Sequence, residues 1–207
     1  SITTAGRDRT EISSMGKVVV SEFITLDGVI EDPGGAEGTE FGGWSFRFPA
    51  EEGQQFKSEE LMASDVQLMG RITYEEFAQA WPAMEETAGE FGAKMNAMPK
   101  VVVSTTLTDP TWKNTTVAEA DLPSTVAALK EEYAGDILVS GSATLIESLR
   151  EHDLVDEYRL MVHPVVLGQG KRLFKEGSTP VDLALAETRK AGPDVQLLIY
   201  RPANRSA

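Results

Sequence analysis

Three polar segments that follow strand-like runs have the residue types needed to hold an anion. Their small and polar residues are Gly70, Arg71 and Thr73 in the first, Ser104, Thr105 and Thr106 in the second, and Gly141, Ser142, Ala143 and Thr144 in the third. Small residues let a ligand approach the backbone, hydroxyl groups form hydrogen bonds, and helix N-termini favour negative charge. Each segment taken alone is more simply a helix cap or a polar strand end. Because ligands bind beyond the carboxyl ends of strands in open parallel sheets, the three together predict a phosphate-binding edge.

The first segment lies where a strand-like sequence pattern changes to a helix-like one. Tyr74, Phe77 and Trp81 recur at helical spacing and predict a helix over 73–81 that ends near Pro82. Thr73 and Glu76 have the spacing of a capping box. The guanidinium group of Arg71 has a planar set of donors suited to phosphate.

Composition narrows the classes of function. The chain of 207 residues has a formal net charge of -14, which argues against a nucleic-acid partner. It has no cysteine, and its two histidines are far apart, so we expect no metal site. No apolar run approaches a membrane span, and no secretory signal is evident, so we expect a cytoplasmic protein with no membrane partner. We interpret residues 1–14 as a tail and 15–207 as a single domain.

The remaining pattern alternates between strands and helices. Strands are predicted at 17–24, 65–70, 100–105, 114–117, 136–141 and 156–168, the last interrupted or ended near Pro164, and helices at 51–63, 73–81, 89–97, 122–133 and from Ser142 onward. The closing runs LALAETRKA and VQLLIYR flank the turn GPD and predict an antiparallel hairpin. The expected fold is therefore α/β, with a mostly parallel central sheet, helices on both faces and a C-terminal hairpin.

The ordered segments MGRITYEEF, KVVVSTTL and ILVSGSATLIESL resemble the cofactor-binding segments of the dihydrofolate reductase superfamily. FITLDGVIEDPGG and HPVVLGQGKRLF are similar to the branch that holds the C-terminal reductase domain of the riboflavin biosynthesis protein RibD and its stand-alone relatives. The resemblance covers residues 17–201. It implies a dihydrofolate reductase-like fold, NADPH as cofactor, hydride transfer to a conjugated C=N or C=C bond, and a homodimer.

By matching position, the resemblance implies which residues contact the cofactor. Gly70, Arg71, Ile72 and Thr73 are expected at its phosphates, Ser104, Thr105 and Thr106 beside the adenosine, and Gly141, Ser142, Ala143, Thr144 and Leu145 under the pyrophosphate. Arg71 is expected to favour NADPH over NADH, since the 2′-phosphate offers a charged partner. The chain departs from dihydrofolate reductases at Gly141-Ser142, where they have two glycines.

Residues for substrate and catalysis are less sharply defined. Asp27 and Gly28 end the first strand, and a similar Asp-Gly pair in riboflavin-type domains implies contact with substrate or nicotinamide; a simple turn is the alternative. Trp44 and Phe46 belong to an aromatic cluster that could stack on a flat ring or cover the core edge. Glu51 is a loose counterpart of the carboxylate that binds pterin in dihydrofolate reductases.

The resemblance leaves three functions open. The first is an NADPH-dependent reductase of a small heterocyclic substrate, similar to 5-amino-6-(5-phosphoribosylamino)uracil reductase of riboflavin biosynthesis. The second is a dihydrofolate or pterin reductase, which requires a buried carboxylate near Glu51. The third is a non-catalytic NADP-binding or interaction protein, which is favoured by the lack of an obvious proton donor in the sequence. The zinc deaminase half found beside many riboflavin reductase domains is absent from the chain.

Overall fold

The computed structural model describes residues 15–204, so the predicted tail at 1–14 lies outside the described residues. Within them, eight strands form one sheet: β1 (Lys17–Thr25), β2 (Ser64–Gly70), β3 (Lys100–Val103), β4 (Thr115–Val117), β5 (Asp136–Val139), β6 (Glu157–His163), β7 (Leu183–Lys190) and β8 (Gln196–Pro202). The helices are α1 (Glu51–Ala63), α2 (Arg71–Met84), α3 (Gly89–Ala97), α4 (Leu122–Glu132) and α5 (Ala143–Glu151), with a short 3-10 helix at Trp44–Arg47.

The sheet has the order β4-β3-β2-β5-β1-β6-β8-β7. The six strands from β4 to β6 run parallel, whereas β8 pairs antiparallel with both β6 and β7. This arrangement confirms the predicted mostly parallel sheet with its C-terminal antiparallel hairpin. The central strands β2, β5 and β1 are adjacent, so their carboxyl ends meet at one edge of the sheet.

Alternate residues of β1 face two separate hydrophobic cores. Val18 and Val20 pack in a core that includes residues of α4 and α5, such as Val126 and Ile146. Val19 packs on the other face, in a core that includes residues of α1, α2 and α3. A strand whose successive residues are all buried must be covered on both faces, which explains the dense apolar run at its start. The predicted helices on both faces are therefore present.

Helix α2 begins and ends differently from the prediction. It begins at Arg71 directly after Gly70, with no side-chain cap, so the capping box of Thr73 and Glu76 is not formed. Thr73 is instead a buried residue of the first helical turn. The helix also continues past Pro82 to Met84. By contrast, the Ser142 hydroxyl caps α5 as predicted, since it accepts a hydrogen bond from the Leu145 N–H at 3.3 Å.

Candidate functional site

Two helices begin side by side at the carboxyl edge of the sheet. Strand β2 leads directly into α2, and β5 leads through Ser140, Gly141 and Ser142 into α5. Because β2 and β5 are paired and parallel, both helices start at the same edge. The first N–H groups of each helix lack intrahelical acceptors and carry partial positive charge. The two helix starts together offer an anion more donors than either would alone.

Glycine is required where these two segments meet. A Cβ atom at Gly70 would lie 2.5 Å from the Ser142 Oγ, and one at Gly141 would lie 2.8 Å from the Thr73 Oγ1. Gly141 also has a φ of +120°, which residues with side chains rarely adopt. The Gly141–Ser142 peptide bond is cis. The close contact of the two helix starts therefore depends on the absence of both side chains.

A cavity of about 550 Å³ opens beside the two helix starts. Its floor includes residues of β1, β2 and β5, and its walls come from α1, α2, α3 and the loop after β1. Aromatic rings form part of one wall, where Trp81 and Phe91 lie with their centroids 5.3 Å apart. The volume falls within the usual range for small-molecule sites. This cavity is the candidate functional site.

The structure brings only some of the predicted site residues to the cavity. Those that line it are Phe46, Ile72, Thr73, Gly141, Ser142, Ala143 and Thr144. Those outside its lining are Asp27, Gly28, Trp44, Glu51, Gly70, Arg71, Ser104, Thr105, Thr106 and Leu145. Gly70 still shapes the site through its contact with Ser142, whereas Leu145 is part of the core beneath α5.

The Asp27 carboxylate stabilises a turn and does not line the cavity. Its carboxylate accepts hydrogen bonds from the Thr25 hydroxyl at 2.6 Å and from the backbone N–H groups of Gly168 and Leu167 at 2.7 and 3.2 Å. Burial raises the pKa of Asp27, but these hydrogen bonds outweigh that effect and hold it below its usual value. Gly28, with a φ of +83°, belongs to the same turn. The turn interpretation therefore accounts for both residues.

The aromatic residues of the loop after β1 have separate roles. Trp44 is buried, donates its indole N–H to the Glu31 carbonyl at 2.9 Å, and packs edge-on against His163 with centroids 5.2 Å apart. Phe46 is 78% exposed and lines the cavity. Of the two predicted stacking residues, only Phe46 is placed to contact a ligand. Glu51 lies exposed in the first turn of α1 and does not provide a buried carboxylate.

Arg71 and Ser104, two of the residues predicted to contact the cofactor, lie outside the cavity lining and make local contacts. Arg71 is 43% exposed and donates to both carboxylate oxygens of Glu75 at 2.9 Å. After β3, the Ser104 hydroxyl accepts hydrogen bonds from the N–H groups of Thr106 and Leu107. Ser104 therefore closes a local turn, while Arg71 is exposed close to the start of α2.

A buried ionic cluster between β1 and α1 contributes Ser21, Lys57 and Glu60 to the cavity lining. Glu60 accepts hydrogen bonds from the Lys57 ammonium group at 2.7 Å and the Ser21 hydroxyl at 3.0 Å, and it pairs with Arg159 at 3.3 Å. Lys57 also donates to the Ser21 hydroxyl at 2.6 Å. These contacts satisfy the buried carboxylate of Glu60 with two cations and a hydroxyl group.

Glu22 lies in the same cavity but has very different surroundings. Its side chain is 8% exposed, and its Oε1 atom has no hydrogen-bond partner among the described residues. Its strand neighbours Val20 and Ile24 are core residues, and it is opposite Leu160 in the sheet. Burial raises the pKa of Glu22 to about 8; Lys57 lowers it, while Glu60 and Glu37 raise it. This shift favours the protonated form of Glu22 at neutral pH.

The sequence patterns do not predict Glu22, Lys57 and Glu60 as site residues, although one signal for Glu22 is present. Glu22 is the only charged residue inside the run VVVSEFIT, which is otherwise typical of a buried strand. A carboxyl group in such a run must be paired or neutral. Which of the two applies depends on the distant helix α1, and the sequence does not reveal how that helix packs.

Acidic groups dominate the described lining of the cavity. The carboxyl groups are those of Glu22, Glu31, Asp32, Glu37, Glu60 and Glu76, and the amines are those of Lys57 and Lys171. Lys171 lies 3.5 Å from Glu31 and 4.0 Å from Glu37. Burial and the nearby Glu37 raise the pKa of Glu76. The lining away from the helix starts therefore disfavours anionic groups.

Comparison with known proteins assigns the chain to a family. Residues 16–197 match the RibD C-terminal domain. In Bacillus subtilis (strain 168), the uncharacterized protein YyaP is 30% identical over 186 residues, which cover 89% of this chain and 94% of YyaP. The uncharacterized protein YwjB of the same strain is 27% identical over 188 residues, covering 89% of this chain and 98% of YwjB.

Solved structures share the fold at low sequence identity. A candidate riboflavin biosynthesis protein from Shewanella sp. PV-4 has a TM-score of 0.70 at 19% identity, over 91% of this chain and 99% of that one. A dihydrofolate reductase from Enterococcus faecalis, solved in complex with NADP(H), has a TM-score of 0.55 at 12% identity, over 92% and 98%. The fold is dihydrofolate reductase-like, and the chain belongs to the RibD C-terminal domain family.

Proposed function

We propose that the protein is an NADPH-dependent reductase that transfers a hydride to a small conjugated heterocycle. The observation that carries this proposal is the pair of adjoining helix starts that open onto a cavity of about 550 Å³. Family membership agrees with it, because structures with this fold include a reductase solved in complex with NADP(H). The non-catalytic alternative would leave unexplained the buried Glu22 carboxyl group in the cavity, whose Oε1 atom has no hydrogen-bond partner among residues 15–204.

The residues present fit a dinucleotide at the two helix starts. Gly70 and Gly141 allow the two helix starts to lie in close contact, so the free backbone N–H groups of both first turns are brought close together. The first turn of α5, at Ala143 and Thr144, would hold the pyrophosphate, with Ile72 and Thr73 of α2 opposite. When bound, the dinucleotide supplies the hydride.

We propose a neutral or cationic acceptor. The carboxylates that line the cavity would repel a phosphate on the substrate, and the Lys57 ammonium group is already paired with Glu60. A phosphoribosylated pyrimidine therefore fits this cavity less well than an uncharged heterocycle of similar size. Dihydrofolate has an anionic glutamate tail, which the same carboxylates would repel. Glu51 is exposed and does not supply the buried carboxylate that a pterin reductase needs.

Titration with NADPH and NADH tests the cofactor assignment. We expect tighter binding of NADPH, and we expect Arg71→Ala to weaken it about 10- to 150-fold while changing NADH affinity little, since a charge-assisted hydrogen bond contributes about 1.5–3 kcal/mol. Glu75→Gln is the matched variant: it removes the carboxylate that competes for Arg71, so it should strengthen NADPH binding. Failure of the wild type to bind either nucleotide would refute the assignment.

We also propose that the protein is a homodimer. Strand β7 is at the edge of the sheet and is exposed along nearly its whole length, so its backbone groups can pair with a second chain. Sedimentation velocity on the full chain distinguishes a dimer from a monomer.

A further inference from the structure

Two buried glutamates face the same cavity with opposite surroundings. Glu60 has two cationic partners and a hydroxyl donor, whereas the Glu22 Oε1 has no hydrogen-bond partner among residues 15–204. Burial of an unpaired carboxylate in apolar surroundings costs far more free energy than burial of a neutral carboxylic acid. Lys57, the cation nearest to both, already donates to Glu60 and Ser21. The arrangement therefore directs the available cations to Glu60 and leaves Glu22 as the proton-bearing group.

The charged groups around Glu22 support the same conclusion. Glu60 on α1 and Glu37 on the loop after β1 oppose its ionisation, and Lys57 on α1 favours it. The remaining charged residues of the lining are Glu31, Asp32, Glu76 and Lys171. Lys171 is close to Glu31 and Glu37, so its charge is already shared. Burial is the largest effect and raises the pKa of Glu22 to about 8.

We propose that Glu22 is the catalytic acid of this site and that the substrate is a neutral, weakly basic heterocycle with a reducible C=N bond. This inference rests on the proposed function. Glu22 gives its proton to the ring nitrogen while the adjacent carbon gains a hydride from NADPH. The C=N bond becomes a CH–NH bond, NADPH leaves as NADP⁺, and the Glu22 carboxylate regains a proton from water. The buried acid thus supplies the proton donor that sequence analysis did not find.

A pair of probes separates proton transfer from hydride transfer. Phenanthridine is a weakly basic aromatic imine whose nitrogen must be protonated when the neighbouring carbon accepts a hydride. N-methylphenanthridinium has the same ring framework, but its quaternary nitrogen needs no proton. We expect Glu22→Gln to reduce the rate of phenanthridine reduction at least about a hundredfold, as expected for loss of general acid catalysis. The variant should reduce N-methylphenanthridinium at close to the wild-type rate.

Glu59→Gln is the matched control, because Glu59 is an exposed residue of α1 that does not line this cavity. It should behave as wild type with both probes. Equal loss on both probes in Glu22→Gln would show a structural role and overturn the proposal. Equal retention on both would show that Glu22 transfers no proton, and it would overturn the proposal as well. A wild-type protein that binds NADPH but reduces neither probe would overturn the substrate class.

Infrared spectroscopy tests the protonation of Glu22 without turnover. We expect the wild type at neutral pH to show the carbonyl stretch of a buried protonated carboxyl group, and we expect this band to be missing from Glu22→Gln and present in Glu59→Gln. A wild-type spectrum without the band would overturn the acid role even if NADPH binds. If the band is present but NADPH does not bind, the proposed function is refuted, and the acid role with it. Glu22 would then be only a buried neutral group.

Discussion

Replacement of Glu22 by glutamine should change how the stability of the protein depends on pH. Glutamine has nearly the same shape as a protonated glutamic acid but does not ionise. In the wild type, burial holds the pKa of Glu22 at about 8 instead of its ordinary value of 4.5. The folded state therefore binds the proton more tightly than the unfolded state. The stabilisation from this proton is complete below about pH 4.5 and is lost as the pH rises to about 8.

The size of the effect follows from the two pKa values. Between 4.5 and about 8, the unfolded chain releases its Glu22 proton while the folded chain retains it. Each pH unit in this window lowers the free energy of unfolding by about 1.4 kcal/mol, which gives about 5 kcal/mol as an upper bound. Movement of Lys57 toward an ionised Glu22, or entry of water, would reduce this value. An effect of about 2–4 kcal/mol is therefore expected.

Urea denaturation at about pH 5 and at about pH 9 measures the effect in the wild type, Glu22→Gln and Glu59→Gln. The free energy of unfolding of Glu22→Gln, relative to wild type, should rise by about 2–4 kcal/mol between the two pH values. The exposed control Glu59→Gln should follow the wild type. Parallel curves for the wild type and Glu22→Gln would show that Glu22 titrates at its ordinary pKa, which would refute the reasoning from its burial.

Two further predictions concern the walls of the site. Gly141→Ala should lower the free energy of unfolding by about 1–3 kcal/mol and weaken NADPH binding. The new Cβ would clash with the Thr73 hydroxyl, and alanine would be strained at the positive φ of this position. Unchanged denaturation and titration curves would contradict this prediction. Phe46→Ala should change the free energy of unfolding by less than about 0.5 kcal/mol while weakening heterocycle binding. Trp44→Ala should lower the free energy of unfolding by about 3–5 kcal/mol, because Trp44 is buried. Similar losses of stability in both variants would contradict the separation of their roles.

Local patterns sufficed to predict most of the fold. Helical spacing predicts a helix over 122–133, and α4 spans Leu122–Glu132, with the Asp121 carboxylate accepting a hydrogen bond from the Ser124 N–H at 2.9 Å. Strand β1 and the closing hairpin were evident from apolar runs and from the turn between β7 and β8. The start of α2 was predicted two residues late. Thr73 is a residue type that often caps helices, but it is buried against Gly141, which is distant in the sequence.

The candidate site was harder to predict because its chemistry depends on contacts between distant segments. Ser21 and Glu60 are 39 positions apart and become partners only when α1 packs beside β1. Trp44 and Phe46 are two positions apart in one aromatic cluster, yet one is buried against His163 and the other is exposed at the cavity. Sequence patterns identify residues capable of such roles, and packing decides which of them adopts each role.

The two ends of the cavity have opposite preferences for charge, and this difference can fix the orientation of its ligands. The helix starts after β2 and β5 favour phosphate groups, whereas β1, α1 and the loop after β1 contribute most of the carboxyl groups. A dinucleotide would therefore place its phosphates at the helix starts and extend its nicotinamide toward Glu22. A neutral acceptor would occupy the remaining space, where the proton of Glu22 is available. With the proposed ligands, the cavity would discriminate between the dinucleotide and the acceptor by charge before any specific contact with the heterocycle is made.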